Sequence, residues 1–265
     1  MIEMKGISKT YRMRKREAGI GSAVKALFTR DCTEIHALQS MTFTIPDGQI
    51  VGYIGPNGAG KSTTIKILSG ILRPDSGECT VNGMVPWEDR KRYVSKLGVV
   101  FGQRSQLWWD VPVIESFQLL RDIYRVERGE FQSNLSRLTE QLDLQSFLNA
   151  PVRLLSLGQR MRCEIAASLL HSPEILFLDE PTIGLDAVSK LKVREFIRSE
   201  NRERKITVIL TTHDMQDIDA LCQRVLLIGK GRLLLDGSIE EIRAMAGENL
   251  STEESVADLY RRFGI

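Results

Sequence analysis

Three glycines, a lysine and two hydroxyl residues are packed into residues 55–63, Gly55-Pro56-Asn57-Gly58-Ala59-Gly60-Lys61-Ser62-Thr63. The spacing is G-x-x-x-x-G-K-S, it follows an apolar strand-like run, and it leads into the helical pattern TTIKILSGIL, which is the setting of a phosphate-binding loop. Gly55, Gly58 and Gly60 let the backbone turn its N–H groups inward onto phosphate oxygens, and the helix N-terminus adds the positive end of its dipole. Lys61 supplies a full charge to the outer phosphates, and Ser62 can offer its hydroxyl to Mg²⁺. The second chemical element is ILFLDEP, residues 175–181, where four apolar residues of a buried strand deliver Asp179 and Glu180 at its end. Beside a phosphate loop this pair reads as Asp179 ordering a Mg²⁺ shell and Glu180 polarising an attacking water. Phosphoryl transfer asks little covalent chemistry of a protein, so positioned charge of this kind is most of the mechanism.

Such residues need strands and helices to hold them. Short apolar segments bounded by turn residues alternate with helix-length amphipathic ones, the pattern of an α/β protein with a largely parallel sheet. Strands are predicted over 50–54, 97–101, 175–178, 206–211 and 224–228. In IHALQSMTFTIPDG, Met41, Phe43 and Ile45 fall on one face and Thr42 and Thr44 on the other, which predicts a half-buried strand of a separate N-terminal antiparallel sheet. Residues from about 105 to 155 are almost wholly helical in period and predict an inserted helical subdomain. In the tail, Ser251 and Glu254 stand at capping-box spacing ahead of Val256, Leu259 and Tyr260, which predicts a terminal helix.

Bulk properties narrow the class. A chain of 265 residues can bury a substantial core as one body with an inserted subdomain. Its 36 Lys and Arg against 34 acidic residues are too evenly balanced for a protein built to coat nucleic acid. Cys32, Cys79, Cys163 and Cys222 form no C-x-x-C pair and stand near no histidine cluster, which argues against a zinc site or a disulfide framework and for a reducing cytosol. The segment MIEMKGISKTYRMRKR lacks the apolar centre of a signal peptide, and no apolar run approaches the ~20 residues of a membrane span, so a soluble or peripheral protein is expected.

Between the two chemical elements stands LLSLGQRMRCEIAASLL, residues 154–170, in which Ser156 and Gly158 open an amphipathic helix. With GPNGAGKS, ILFLDEP, GLD at 184–186 and TTHD at 211–214 in the same order, it resembles the ABC ATPases, whose signature is L-S-G-G-Q, over nearly the whole chain. The resemblance implies a P-loop NTPase core using ATP and Mg²⁺, an ATP-binding domain over 1–246 and a helical tail over 247–265. It implies two such domains associating head to tail, with ATP between the phosphate loop of one and the Ser156, Gly158 and Gln159 segment of the other. His213 would contact the γ-phosphate and hold Glu180 in geometry, and Asp186 would link the two sites. Gln103 would reach Mg²⁺ and the attacking water, and Tyr11 would stack on adenine.

Two departures stand out. Leu157 replaces the first glycine of the familiar signature, while Ser156 and Gly158, the residues that would meet phosphate, remain. The gap between Tyr11 and ALQSMTFTI is long and holds Arg12, Arg14, Lys15 and Arg16, then Val24, Leu27 and Phe28 at helical spacing. This stretch, 12–34, reads first as a solvated basic loop with a short helix on the sheet, next as a contact with anionic headgroups or a membrane partner, and last as a nucleic-acid contact.

A single ATPase unit with a helical insertion and no cysteine pairs fits a transporter motor within the family; a non-transport ABC-class or other P-loop ATPase acting as a regulator is the alternative. FGQRSQLWWDVPVIESF together with the basic stretch resembles the ATPases of bacterial exporters of the daunorubicin-resistance and viologen-export kind. Those work with separately encoded membrane permeases, which implies a second copy and permease subunits as partners, no nucleic acid, and a place at the cytoplasmic face of a bacterial inner membrane reached through the permease. Trp108 and Trp109 suit a permease-facing surface and a subdomain interior about equally.

Overall fold

The computed structural model describes residues 1–14, 32–102, 104–247 and 250–265, with the side chains of Arg14 and Cys32 left aside. Gln103, and the helix expected around Val24, Leu27 and Phe28, lie outside the described residues, as do Lys15 and Arg16.

The chain opens with a long antiparallel pair, β1 (Ile2–Arg14) and β2 (Cys32–Ile45). After β3 (Ile50–Ile54) and α1 (Lys61–Leu68), β4 (Ser76–Val81) completes a three-stranded antiparallel sheet in the order β2-β1-β4. Then follow α2 (Arg90–Val94), β5 (Leu97–Phe101), α3 (Val113–Tyr124), α4 (Arg128–Gln141), α5 (Leu157–Leu169) and β6 (Ile175–Asp179). The chain continues through α6 (Ala187–Arg204), β7 (Thr207–Thr211), α7 (Met215–Leu221), β8 (Arg224–Gly229), β9 (Arg232–Ser238), α8 (Ile239–Ala246) and α9 (Thr252–Arg262).

The second sheet runs β5-β6-β7-β3-β8-β9, parallel throughout except for β9, which lies antiparallel on β8. The fold is therefore α/β with a mainly parallel sheet and a separate antiparallel one. Side chains of the parallel strands divide between two cores by alternation. Leu176, Leu178, Val208, Leu210, Val225 and Leu227 join the helical side, while Ile175, Phe177, Ile209, Leu226 and Ile228 join the side of α1 and the antiparallel sheet. Burial on both faces is why these strands read as unbroken apolar runs. β2 is covered on one face only, and Met41, Phe43 and Ile45 are buried while Thr42 and Thr44 are exposed.

All five strands expected for the second sheet form, with ends within one residue. β4 and β9 were not expected: β4 buries only Cys79 and Val81, and β9 buries none of its residues, so neither carries a strong pattern. The long gap after Tyr11 is corrected at both ends. Arg12 pairs in register with Glu34 and Met13 with Thr33, and Arg12 Nε donates to Glu34 Oε1 at 3.0 Å, so the start and finish of the basic stretch belong to the sheet.

Within the helical stretch, Arg125 at φ 56° ends α3 and separates it from α4. Ser251 caps α9 with the expected box, Glu254 N donating to Ser251 Oγ at 3.2 Å and Ser251 N to Glu254 Oε2 at 2.8 Å. Val256 and Leu259 pack into the same core as α5, α6 and α7. Among the described residues no helix is long and apolar enough to cross a membrane.

One packing contact titrates. The His171 ring stacks on Tyr124 with centroids 3.9 Å apart, and its Nε2 donates to Leu97 O at 2.8 Å. Burial pushes its pKa down to about 4 against the pull of that hydrogen bond and of Glu130, so the folded ring stays neutral. The unfolded chain takes up the proton nearer pH 6.5, so this group's stabilisation is complete above that pH and is lost as pH falls towards about 4. His171→Gln, which keeps a donor for Leu97, is expected to flatten the fall of the melting temperature between pH 6.5 and 4 relative to the parent chain. Parallel slopes in the two proteins would refute the assignment.

Candidate active site

The turn after β3 sets the phosphate loop. Gly60, the N-cap of α1, sits at φ 108°, and a Cβ there would lie 2.6 Å from Ala37 O, so both the backbone angle and the space demand glycine. Nothing lies within 4 Å of where a Cβ on Gly58 would be, which leaves open space over the loop for a ligand. Gly231 N, in the β8–β9 turn, donates to Ala59 O at 3.0 Å and braces the loop from behind.

Lys61 is 7% exposed and its ammonium folds back on the loop, donating to Gly55 O at 2.5 Å and Pro56 O at 3.3 Å. Burial lowers its pKa, and the carboxylates of Glu180 and then Asp179 oppose that shift. Both carboxylates are therefore close enough to the lysine to favour its charged form.

Asp179 ends β6 beside Thr211, whose hydroxyl donates to Asp179 Oδ1 at 2.5 Å. Glu180 takes φ 55°, an uncommon angle for a residue with a side chain, and its N–H is held by Thr211 O at 2.9 Å and Thr211 Oγ1 at 3.2 Å. Thr211 is thus a supporting residue that sequence reading quoted in TTHD without assigning it a task. Its signal was a polar residue closing a strand just after three consecutive apolar ones.

His213 Nε2 stands 2.9 Å from Glu180 Oε1 and 3.5 Å from Lys61 Nζ. The shorter is a close approach of the ring nitrogen to a carboxylate oxygen, and the longer is within hydrogen-bond reach of the lysine ammonium. Lys61, Asp179, Glu180 and His213 thus gather at the C-terminal ends of the parallel strands, from three segments far apart in the chain. Gly102 approaches them closely: a Cβ there would be 2.7 Å from Asp179 O.

A second group forms elsewhere. Ser156 caps α5, accepting from Gln159 N at 3.2 Å, while Gln159 Oε1 accepts from Ser156 N at 2.9 Å. This end of α5 can attract an anion through its first amide N–H groups. Gly158 packs against α6, where a Cβ would lie 2.6 Å from Ser189 Oγ. Ser189 in turn donates its N–H and hydroxyl to Asp186 at 2.9 and 2.7 Å, capping α6. Those bonds hold the Asp186 carboxyl below the usual range. Leu157 lies over Gly184, with 2.8 Å between its Cδ2 and a Cβ built there. Leu157 thus fills a contact with the GLD turn.

Among the described residues no hydrogen bond or ion pair joins this second group to Lys61, Asp179, Glu180 or His213. Tyr11 lies on β1 opposite Ile35, partly exposed, and makes no hydrogen bond to either group. Trp108 and Trp109 are 41% and 51% exposed, and the core position next to them is taken by Leu107. The Arg160 guanidinium stands 5.6 Å from the Trp109 ring centre.

Asp179 Oδ2 and the exposed Ser62 hydroxyl have no protein hydrogen bond among the described residues, and hard oxygen donors of this kind fit Mg²⁺. No group of three or more His, Cys, Asp and Glu among the described residues could hold a metal alone, so such an ion would also need phosphate oxygens.

Comparison with known proteins agrees with this geometry. The ABC transporter family model matches residues 38–183. The chain is 32% identical over 208 residues to the ABC transporter ATP-binding protein NatA of Bacillus subtilis (strain 168), covering 78% of this chain and 84% of NatA. It is 30% identical over 226 residues to the linearmycin resistance ATP-binding protein LnrL of the same organism, covering 85% of this chain and 72% of LnrL. Some further relatives are longer proteins of which the chain spans 14 to 28%. Among solved structures, a dimeric post-hydrolysis state of the ATP-binding cassette MJ0796 bound to ADP and Pi is similar with a TM-score of 0.74 and 26% identity, over 90% of this chain and 98% of that one. With the phosphate loop, the acidic strand end and the histidine assembled as they are, the chain belongs to the ABC transporter family and is an ATP-binding, ATP-hydrolysing member of it.

Proposed function

We propose that the chain is the motor subunit of an exporter, working as a head-to-tail dimer on separately encoded permeases at the cytoplasmic face of a bacterial inner membrane. The observation that carries this reading is the division of the candidate residues into two groups on one chain. One group holds a lysine, two carboxylates and a histidine; the other offers a helix N-terminus and Asp186. Each is half of a nucleotide site, and a second copy turned head to tail supplies the missing half. The direction of transport follows from the likeness to LnrL and from the FGQRSQLWWDVP segment. The ATPase unit is taken as 1–246 with 247–265 as a tail.

In this reading residues 55–63 wrap the phosphates, Tyr11 stacks on adenine, and Ser62, Asp179 and Gln103 would hold Mg²⁺, which would neutralise charge on the outer phosphates. Lys61 leaves the loop carbonyls for the outer phosphates. Glu180 accepts the proton of the attacking water, and His213, 2.9 Å from the carboxylate, keeps it aimed. Ser156, Gly158 and Gln159 of the second copy close the site and exclude bulk water.

The half-exposed tryptophans make the partner surface testable. Changing Trp108 and Trp109 together to Ala is expected to release the chain from its permease in a pull-down, with nucleotide binding by the isolated chain intact. About half of each ring is already exposed, so the double change is expected to leave the chain folded, as its melting temperature checks. Retained permease binding would count against this docking site.

A further inference from the structure

Asp217, in the first turn of α7, has no exposed surface, yet three segments converge on its carboxylate. The Thr182 hydroxyl and the Thr212 hydroxyl, the latter at 2.9 Å, both donate to Oδ2. Arg194 Nε donates to Oδ1 at 2.6 Å. All three donors are themselves buried: Thr182 is 2%, Thr212 3% and Arg194 9% exposed. A buried carboxylate is costly unless its charge is countered and its lone pairs are engaged. Here both conditions hold, so the cluster is a rigid node.

What the node joins gives it meaning. Thr182 is two residues past Glu180, and Thr212 is the residue before His213. Arg194 lies on α6, the helix capped by Asp186. Arg194 Nη2 also reaches Asp214 Oδ2 at 3.4 Å, and Lys190 of the same helix binds that oxygen at 2.5 Å. The segments of Glu180 and His213 thus hang from one oxygen atom, and the helix behind Asp186 hangs from its neighbour. Asp217 itself makes no hydrogen bond to Lys61, Asp179, Glu180 or His213 among the described residues.

We propose that Asp217 is a positioning residue for hydrolysis: by holding Thr182 and Thr212 together it fixes the Glu180–His213 contact, and through Arg194 it ties that pair to the Asp186 helix. This rests on the reading of Glu180 and His213 as the catalytic pair. The 2.9 Å contact between them involves partly exposed side chains, and Glu180 sits at φ 55°, a conformation that persists only where its surroundings over-determine it. Thr211 restrains the Glu180 backbone from one side, and the Asp217 node restrains the chain on the other. A misplacement of 1 Å at such a pair can cost about 10²-fold in rate.

The test uses Thr182→Val and Thr212→Val in the full chain, which keep the shape and remove one donor each, with Thr182→Ser and Thr212→Ser as rescue variants. Steady-state ATPase, binding of a fluorescent ATP analogue and the melting temperature are measured for each. The valine variants are expected to lower kcat roughly 10- to 100-fold with nucleotide affinity within about twofold of the parent, and the serine variants to restore kcat. In a His213→Ala background, Thr212→Val is expected to add almost nothing, because it acts through the histidine. Parental kcat in both valine variants, while Glu180→Gln abolishes turnover, overturns the proposal alone. Loss of kcat that merely tracks loss of affinity and melting temperature, or full additivity with His213→Ala, also overturns it. Undiminished turnover in Glu180→Gln itself would sink the catalytic reading and this inference with it.

Discussion

Lys61→Ala is expected to lower ATP turnover by at least about 10²- to 10³-fold, the scale on which loss of one preorganised charge-stabilising donor is felt. The ammonium is buried and already near the place where charge develops, with Glu180 and Asp179 holding it in its charged form against desolvation. Alanine removes that charge and leaves the loop carbonyls of Gly55 and Pro56 without their donor. Lys61→Met, which restores the volume and not the charge, separates the two consequences: it is expected to recover melting temperature and no activity. Turnover at the parental rate in either variant, measured by phosphate release, would overturn the site.

Glu180→Gln is expected to reduce hydrolysis by about 10²- to 10⁴-fold, the range for removal of a positioned base, while nucleotide still binds. The amide keeps the size and shape of the carboxylate beside His213 Nε2, so the packing at the 2.9 Å contact is kept and proton acceptance is lost. If the two half-sites are completed by a second copy, ATP trapped without hydrolysis holds that dimer together. Gel filtration with ATP should then show a dimer for Glu180→Gln and a monomer for the parent after turnover. A monomer under both conditions would reject the head-to-tail arrangement even if hydrolysis is lost.

Legibility in the sequence followed the physics of each element. The parallel strands were readable because burial on two faces leaves apolar runs with sharp ends, and ILFLDEP announced both its strand and its acidic terminus. The capping box at Ser251 and the helix start at Ser156 were readable because one side chain and one backbone N–H settle them locally. β4 and β9 were not, since their pairing partners, and not their own patterns, make them strands. The two tryptophans were ambiguous for the same reason: an aromatic ring satisfies a core and a surface equally well, and only the seating of Leu107 put them outside.

By itself the sequence determined the phosphate loop, the acidic strand end and the order of the motifs, because each is a short-range arrangement of residue types whose chemistry is local. Tertiary structure alone decided that His213 meets Glu180 at 2.9 Å and that Lys61 stands between the loop and two carboxylates. It also decided that Asp217 gathers Thr182, Thr212 and Arg194. These contacts join residues that lie on different strands and helices, and their distances are set by sheet order and helix packing, which no local spacing encodes.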